Sequence, residues 1–183
     1  SILTQEMSDT MKADFCITHF FNPVRFMRLL EIVETPTVNK NKMSGLRDFC
    51  QNELGKGIVN CKDTPGFIGN RIGVYTMQVA MYEALERGLP IEIADALFGR
   101  PLGIPKTGVF GLYDLIGIDL MKDVLASFKK ELQENDPFMD VVAPHSLVEK
   151  LLEKGFNGNK GPGGFYQTTI VDDDEIVKAM NTS

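Results

Sequence analysis

His19-Phe20-Phe21-Asn22-Pro23-Val24-Arg25-Phe26-Met27-Arg28-Leu29-Leu30-Glu31 places one of the two histidines of the chain twelve positions before a glutamate. The residues leading in, Phe15-Cys16-Ile17-Thr18, are apolar and β-prone, and so are those leading out, Leu29 to Glu34. Asn22-Pro23 breaks the segment between them, so the pattern is strand, turn, strand. Such a return sets Glu31 beside His19. A carboxylate on one ring nitrogen fixes the tautomer and stabilises the imidazolium, and the other nitrogen stays free to act as a base. Chemistry alone leaves a buried structural His–Glu pair equally open.

Further along, Val38–Leu54 is predicted as a helix: Met43, Leu46, Phe49, Cys50 and Leu54 follow a three-and-four spacing, and Gly55 is a suitable stop. Gly57-Ile58-Val59-Asn60-Cys61 follows as a short strand, which completes a βαβ unit of a doubly wound sheet. Asp63-Thr64-Pro65-Gly66 divides the chain, with Asp63 or Thr64 as a cap and Pro65 at a first helical position. The helix expected at Phe67–Arg87 is apolar nearly all round, which predicts a central buried position. Ile91–Phe98, Phe110–Ile116, Leu120–Glu134 and Leu147–Lys154 are further predicted helices, the last with Ser146 and Glu149 as a capping box. His145 is expected to lie exposed before that cap. Everything from Pro65 onward is expected to be helical.

The segment HFFNPVRFMRLLEIVETP resembles the catalytic segment of the L-3-hydroxyacyl-CoA dehydrogenase family. The resemblance continues through DTPGFIGNR (Asp63–Arg71) and FGRPLGIPKTGVFGLYDLIGIDL (Phe98–Leu120) to KGPGGFY (Lys160–Tyr166), so it covers nearly the whole chain. The RPLGIPKTGVFGLYDLIGID wording is closer to bacterial multifunctional fatty-acid-oxidation chains than to the short monofunctional enzymes. The fold class it implies is an α/β remnant, the last strands of a Rossmann-type sheet, followed by an all-α helical domain. The divisions would be 1–63 for the end of the NAD-binding domain, 64–168 for the helical domain, and 169–183 for a tail or the start of a following segment.

The activity implied is oxidation of an L-3-hydroxyacyl-CoA to the 3-oxoacyl-CoA with NAD as cofactor. His19 would be the base and Glu31 its orienting partner. Asn70, and Ser1 if it matches the family serine, would contact the substrate; Asn22 and Lys160 would face the cofactor. A homodimer formed through the helical domain is the implied assembly. No G-x-G-x-x-G turn occurs in the 183 residues, although that turn anchors a dinucleotide pyrophosphate. The chain is therefore expected to be a fragment of a longer protein. Two alternatives stay open: an inactive helical dimerisation fragment, and a related β-hydroxyacid dehydrogenase.

Composition sets bounds on this reading. The chain is 43% hydrophobic and 24% charged, as a globular protein is. A formal net charge of −6 and a pI near 5.0 give no electrostatic case for nucleic acid or an anionic membrane surface. Cys16, Cys50 and Cys61 are odd in number with no C-x-x-C spacing, which fits reduced thiols rather than a disulfide frame or a metal site. Asp172-Asp173-Asp174 reads as a solvated acidic turn, and no metal site is expected. No run approaches membrane-span length, and Lys12 and nearby acidic residues break any leader pattern. The expected location is the bacterial cytoplasm, with a mitochondrial one left open.

Overall fold

The computed structural model describes residues 2–103, 106–171 and 174–180. It divides into two compact units, Ser1–Ile72 and Gly73–Ser183.

In the first unit a short helix, α1 (Asp9–Ala13), is capped by the Ser8 side chain. It leads into β1 (Cys16–Phe20), β2 (Leu29–Glu34), α2 (Lys40–Asp48) and β3 (Gly57–Cys61). The sheet order is β1-β2-β3, with β1 antiparallel to β2 and β2 parallel to β3. The strand–turn–strand reading and the βαβ unit are thus both present. Asn39 caps α2 through its side-chain oxygen, which accepts the N–H groups of Asn41 and Lys42. The helix ends in a wide π-helical turn, Phe49–Glu53.

Strand periodicity divides the work of this sheet. Leu30 and Ile32 are fully buried, and they pack with Val38, Met43 and Cys50 into the core beneath α2. Glu31, between them in sequence, points to the opposite face yet is also buried. One face of β2 therefore supplies the core, and the other carries a buried charge.

The second unit contains most of α3 (Gly69–Glu86), then α4 (Ile91–Leu97), α5 (Phe110–Ile116), α6 (Ile118–Glu131) and α7 (Ser146–Glu153). Its core gathers Met81 and Ala84 from α3, Ile91 from α4, Phe110 and Tyr113 from α5, Leu125 and Phe128 from α6 and Leu151 from α7. The fully buried Gln78 donates to the Val141 carbonyl at 2.6 Å and accepts the Tyr113 hydroxyl, so this polar group is satisfied.

Five sequence expectations are corrected. The helix predicted from Phe67 begins at Gly69, because Gly66 and Phe67 both take positive φ (72° and 47°) and turn the chain first. That helix is buried on one face only: Ile72 is 61% exposed, while Met81 on the core side is buried. The cap of α7 is His145 rather than Ser146, and its Nδ1 accepts the Leu147 N–H at 3.2 Å. His145 is accordingly tucked in, its side chain 17% exposed. Last, the region after α7 is not helical. β4 (Tyr166–Val171) and β5 (Asp174–Ala179) form an antiparallel hairpin, consistent with the β-prone run Tyr166-Gln167-Thr168-Thr169-Ile170-Val171. Residues 172 and 173 of the acidic turn lie outside the described residues.

Candidate active site

His19 and Glu31 face each other directly in the β1–β2 register. Residues opposed in an antiparallel pair share a face with their Cβ atoms about 5 Å apart. The His19 Nδ1 lies 2.7 Å from Glu31 Oε2, with the His19 side chain 30% exposed and the Glu31 side chain 1%. Among the described residues His19 Nε2 forms no hydrogen bond, so the ring has one committed nitrogen and one available.

The other Glu31 oxygen is held just as firmly. Oε1 accepts the backbone N–H groups of Ile68 at 2.9 Å and Gly69 at 2.7 Å, and the Cys61 thiol lies 3.5 Å away. Burial alone would raise the Glu31 carboxyl. The hydrogen bonds from His19, Gly69, Ile68 and Cys61 outweigh it and hold the group below its ordinary value. Glu31 is thus a fixed anion at neutral pH. It also performs the capping that local sequence assigned to Asp63 or Thr64, because it binds the free N–H groups where α3 starts. The Cys61 thiol is in turn pushed up, first by burial and then by the Glu31 charge.

Two aromatic rings wall the imidazole. Phe21 meets it edge-on with ring centroids 4.6 Å apart, and Phe67 is tilted at 5.7 Å. A Cβ at Gly69 would press into the Phe21 ring, so any side chain there would displace that ring. Phe67 is the only non-glycine described with positive φ, a conformation that costs of order 1–3 kcal/mol and is characteristic of functional positions. Phe21, Phe67, Gly69 and Cys61 were not singled out from the sequence. The Pro65-Gly66 turn ahead of a helix was the one available signal, and it pointed to a local cap rather than to a carboxylate 37 residues back.

The other candidates fall as follows. Asn22 is exposed in the β1–β2 connection, three residues past His19, and its peptide bond to Pro23 is cis. Asn70 is exposed in the first turn of α3, next to the Gly69 N–H that Glu31 binds. Asn70 thus lies ahead of the buried face of α3, which begins at Val74. Lys160 belongs to the second unit, where its Nζ is 4.0 Å from Asp119. Ser1 lies outside the described residues. Among the described residues no three His, Cys, Asp or Glu side chains cluster as a metal site, and no helix is long and apolar enough to cross a membrane. Cys16, Cys50 and Cys61 are unpaired thiols.

Comparison with known proteins gives two family matches. Residues 1–64 match the 3-hydroxyacyl-CoA dehydrogenase NAD binding domain. Residues 66–168 match the 3-hydroxyacyl-CoA dehydrogenase C-terminal domain. The chain is 38% identical over 179 residues to a Rickettsia felis protein provisionally named a fatty acid oxidation complex trifunctional enzyme, covering 98% of this chain and 25% of that one. It is 36% identical over 168 residues to the mitochondrial hydroxyacyl-coenzyme A dehydrogenase of Rattus norvegicus, covering 90% of this chain and 51% of the rat protein. The crystal structure of 3-hydroxybutyryl-CoA dehydrogenase from Escherichia coli superposes with a TM-score of 0.72 at 29% identity, over 90% of this chain and 33% of that one. The chain thus spans between a quarter and about half of the length of these relatives.

Proposed function

The chain belongs to the 3-hydroxyacyl-CoA dehydrogenase family, and from that premise we propose that the protein oxidises an L-3-hydroxyacyl-CoA to the 3-oxoacyl-CoA with NAD, as a step of fatty-acid oxidation. The bound nicotinamide supplies the acceptor for the hydride that leaves C3. The residues of this chain handle the proton. His19 Nε2 takes it from the C3 hydroxyl as the carbonyl forms, and later releases it to solvent. Glu31 keeps Nδ1 protonated and stabilises the imidazolium that results.

The observation that carries this reading is the 2.7 Å His19–Glu31 contact on facing strand residues, with Nε2 uncommitted. The paired Phe21 and Phe67 rings fit it, because an apolar wall excludes water and strengthens the charge interactions within. The exposed Asn22, three residues past His19, and Asn70, next to the Gly69 amide that Glu31 binds, suit the cofactor side and the substrate oxygen respectively. Ser1 for substrate and Lys160 for cofactor are carried by the family resemblance. The domain division at 1–63, 64–168 and 169–183, a homodimer through the helical domain and a bacterial cytoplasmic location are parts of the same proposal.

The 183 residues hold the proton-handling half of such a site but no G-x-G-x-x-G turn for a pyrophosphate. We therefore expect the chain by itself to bind NAD weakly. The deciding experiment follows NADH absorbance when the full-length protein is given NAD and L-3-hydroxybutyryl-CoA. Turnover supports the proposal; no turnover with this or longer acyl chains overturns it.

A further inference from the structure

Lys56 is buried, 9% exposed, and it meets no carboxylate in any described ion pair. Its ammonium donates to the carbonyl oxygens of Val24 and, at 2.8 Å, Met27. The Phe20 ring lies with its centroid 5.9 Å from Nζ, within reach of a cation–π attraction. The neighbouring Gly57 N–H donates to the Arg28 carbonyl at 2.8 Å. The start of β3 thus offers a donor cradle to the 24–28 segment.

A buried cation is costly to retain unless it is hydrogen-bonded, and an apolar side chain would fill the same space without that cost. A lysine is useful here for what it binds. The β1–β2 connection has no ladder for its carbonyls, and its residues 22–28 are exposed, so little besides the Lys56 and Gly57 donors ties it to the sheet. The connection begins at Phe21, which packs on the His19 ring, and Asn22. The turn amides of Phe26 and Met27 both donate to the Pro23 carbonyl, at 2.9 and 3.0 Å. A hold on Val24 and Met27 therefore sets the placement of the residues next to the proposed base.

We propose that Lys56 is a positioning residue for the reaction, its ammonium clamping the 24–28 turn so that Phe21 and Asn22 are held against His19. The inference rests on the dehydrogenase reading above. Displacement of catalytic geometry by about 1 Å can cost up to 10²-fold in rate, so the clamp has leverage although Lys56 touches neither substrate nor cofactor.

The test compares Lys56→Met, Lys56→Gln and Lys56→Arg in the full-length protein, with kcat and KM for NAD, thermal melts and amide hydrogen exchange over residues 21–28. Lys56→Met should lower kcat about tenfold or more and speed exchange at the Phe26 and Met27 amides. Lys56→Arg, which still donates, should restore both; Lys56→Gln, a neutral donor, should fall between and covers the case in which the Met variant does not fold. The proposal is overturned if Met and Gln variants melt earlier but keep wild-type kcat and KM, or if Arg is as impaired as Met. Unchanged exchange at 21–28 in an active enzyme would remove the clamp while leaving the dehydrogenase reading intact. An inactive wild-type protein would remove that reading, and with it the catalytic consequence assigned to Lys56.

Discussion

Two buried carboxylates, one in each unit, do the same structural job with different fourth partners. Glu31 binds the Ile68 and Gly69 N–H groups at the start of α3. Asp95 on α4 binds the N–H groups of Val109 and Phe110 through one oxygen, at 2.7 and 2.8 Å, and that of Gly111 through the other, at 2.9 Å, where α5 starts. Each is a cap supplied from another element. The remaining partners of Glu31 are the Cys61 thiol and an imidazole, the latter the side chain whose charge changes near neutral pH. The remaining partner of Asp95 is the Tyr166 hydroxyl at 2.8 Å. Burial, with Asp95 alongside, pushes that phenol well above its ordinary value. A phenol so held stays a donor under all ordinary conditions and moves no proton. The same capping geometry therefore makes a strut in the helical unit and, beside a histidine, a hydrogen-bonded imidazole–carboxylate pair in the sheet unit.

Mutation should separate the two most widely at His19 and Asp95. In the full-length protein His19→Ala should lower turnover by about 10²–10⁴, the usual worth of a general base, while costing the melting transition less than Asp95→Ala does, since it strands one carboxylate oxygen rather than four donors. Asp95→Ala should do the reverse. Three backbone N–H groups and a hydroxyl lose their acceptor, which should cost about 3 kcal/mol in denaturant melts, and turnover per folded molecule should stay put. A loss of turnover in folded Asp95→Ala as large as that in His19→Ala would erase the distinction. The next effect is smaller. Glu31→Gln keeps the imidazole but removes its charge partner, so rates should fall on the order of tenfold, about 1.4 kcal/mol.

The smallest expected effect lies in acid stability, and it has opposite sign in the two units. Glu31 is held below its ordinary value, so its contribution to stability is present above that value and is lost as pH falls through the depressed one. Asp114 on α5 is raised above its ordinary value, chiefly by burial, although the Phe165 and Tyr166 N–H groups bind it. Its contribution is full below the ordinary value and declines as pH rises through the raised one. Urea melts between pH 2 and 7 should show Glu31→Gln flattening the acid-side loss of stability. An acid limb identical to wild type would mean that Glu31 is not the depressed group.

The dyad was legible in sequence because both of its determinants are local: β-prone runs on either side of Asn22-Pro23, and a spacing that returns the chain on itself. β2 and β3 have the predicted bounds for the same reason, since short apolar runs bounded by turn residues leave little freedom of register. What the sequence concealed is the work of partners distant along the chain. Asp63 and Thr64 look like a cap for α3, but Glu31 takes the two N–H groups, and the positive-φ turn at Gly66-Phe67 delivers them. His145 looks like a residue outside a Ser146 capping box, but its ring nitrogen is nearer to the Leu147 N–H. Lys56 carries no motif in the sequence, and only the folded sheet brings the Val24 and Met27 carbonyls to it. Apolar spacing also overstated the burial of α3, because hydrophobicity marks a residue as able to be buried and does not say that anything covers it.

The central claim is that Glu31 acts on the chemistry only through His19. A double-mutant cycle on turnover of L-3-hydroxybutyryl-CoA by the full-length protein tests it most directly, with wild type, His19→Ala, Glu31→Gln and the double variant measured under one set of conditions. Because residues that act as a unit are strongly non-additive, the double variant should be no slower than His19→Ala alone, to within about threefold. A double variant slowed by the product of the two single losses would contradict the account, for Glu31 would then contribute independently of the imidazole it faces.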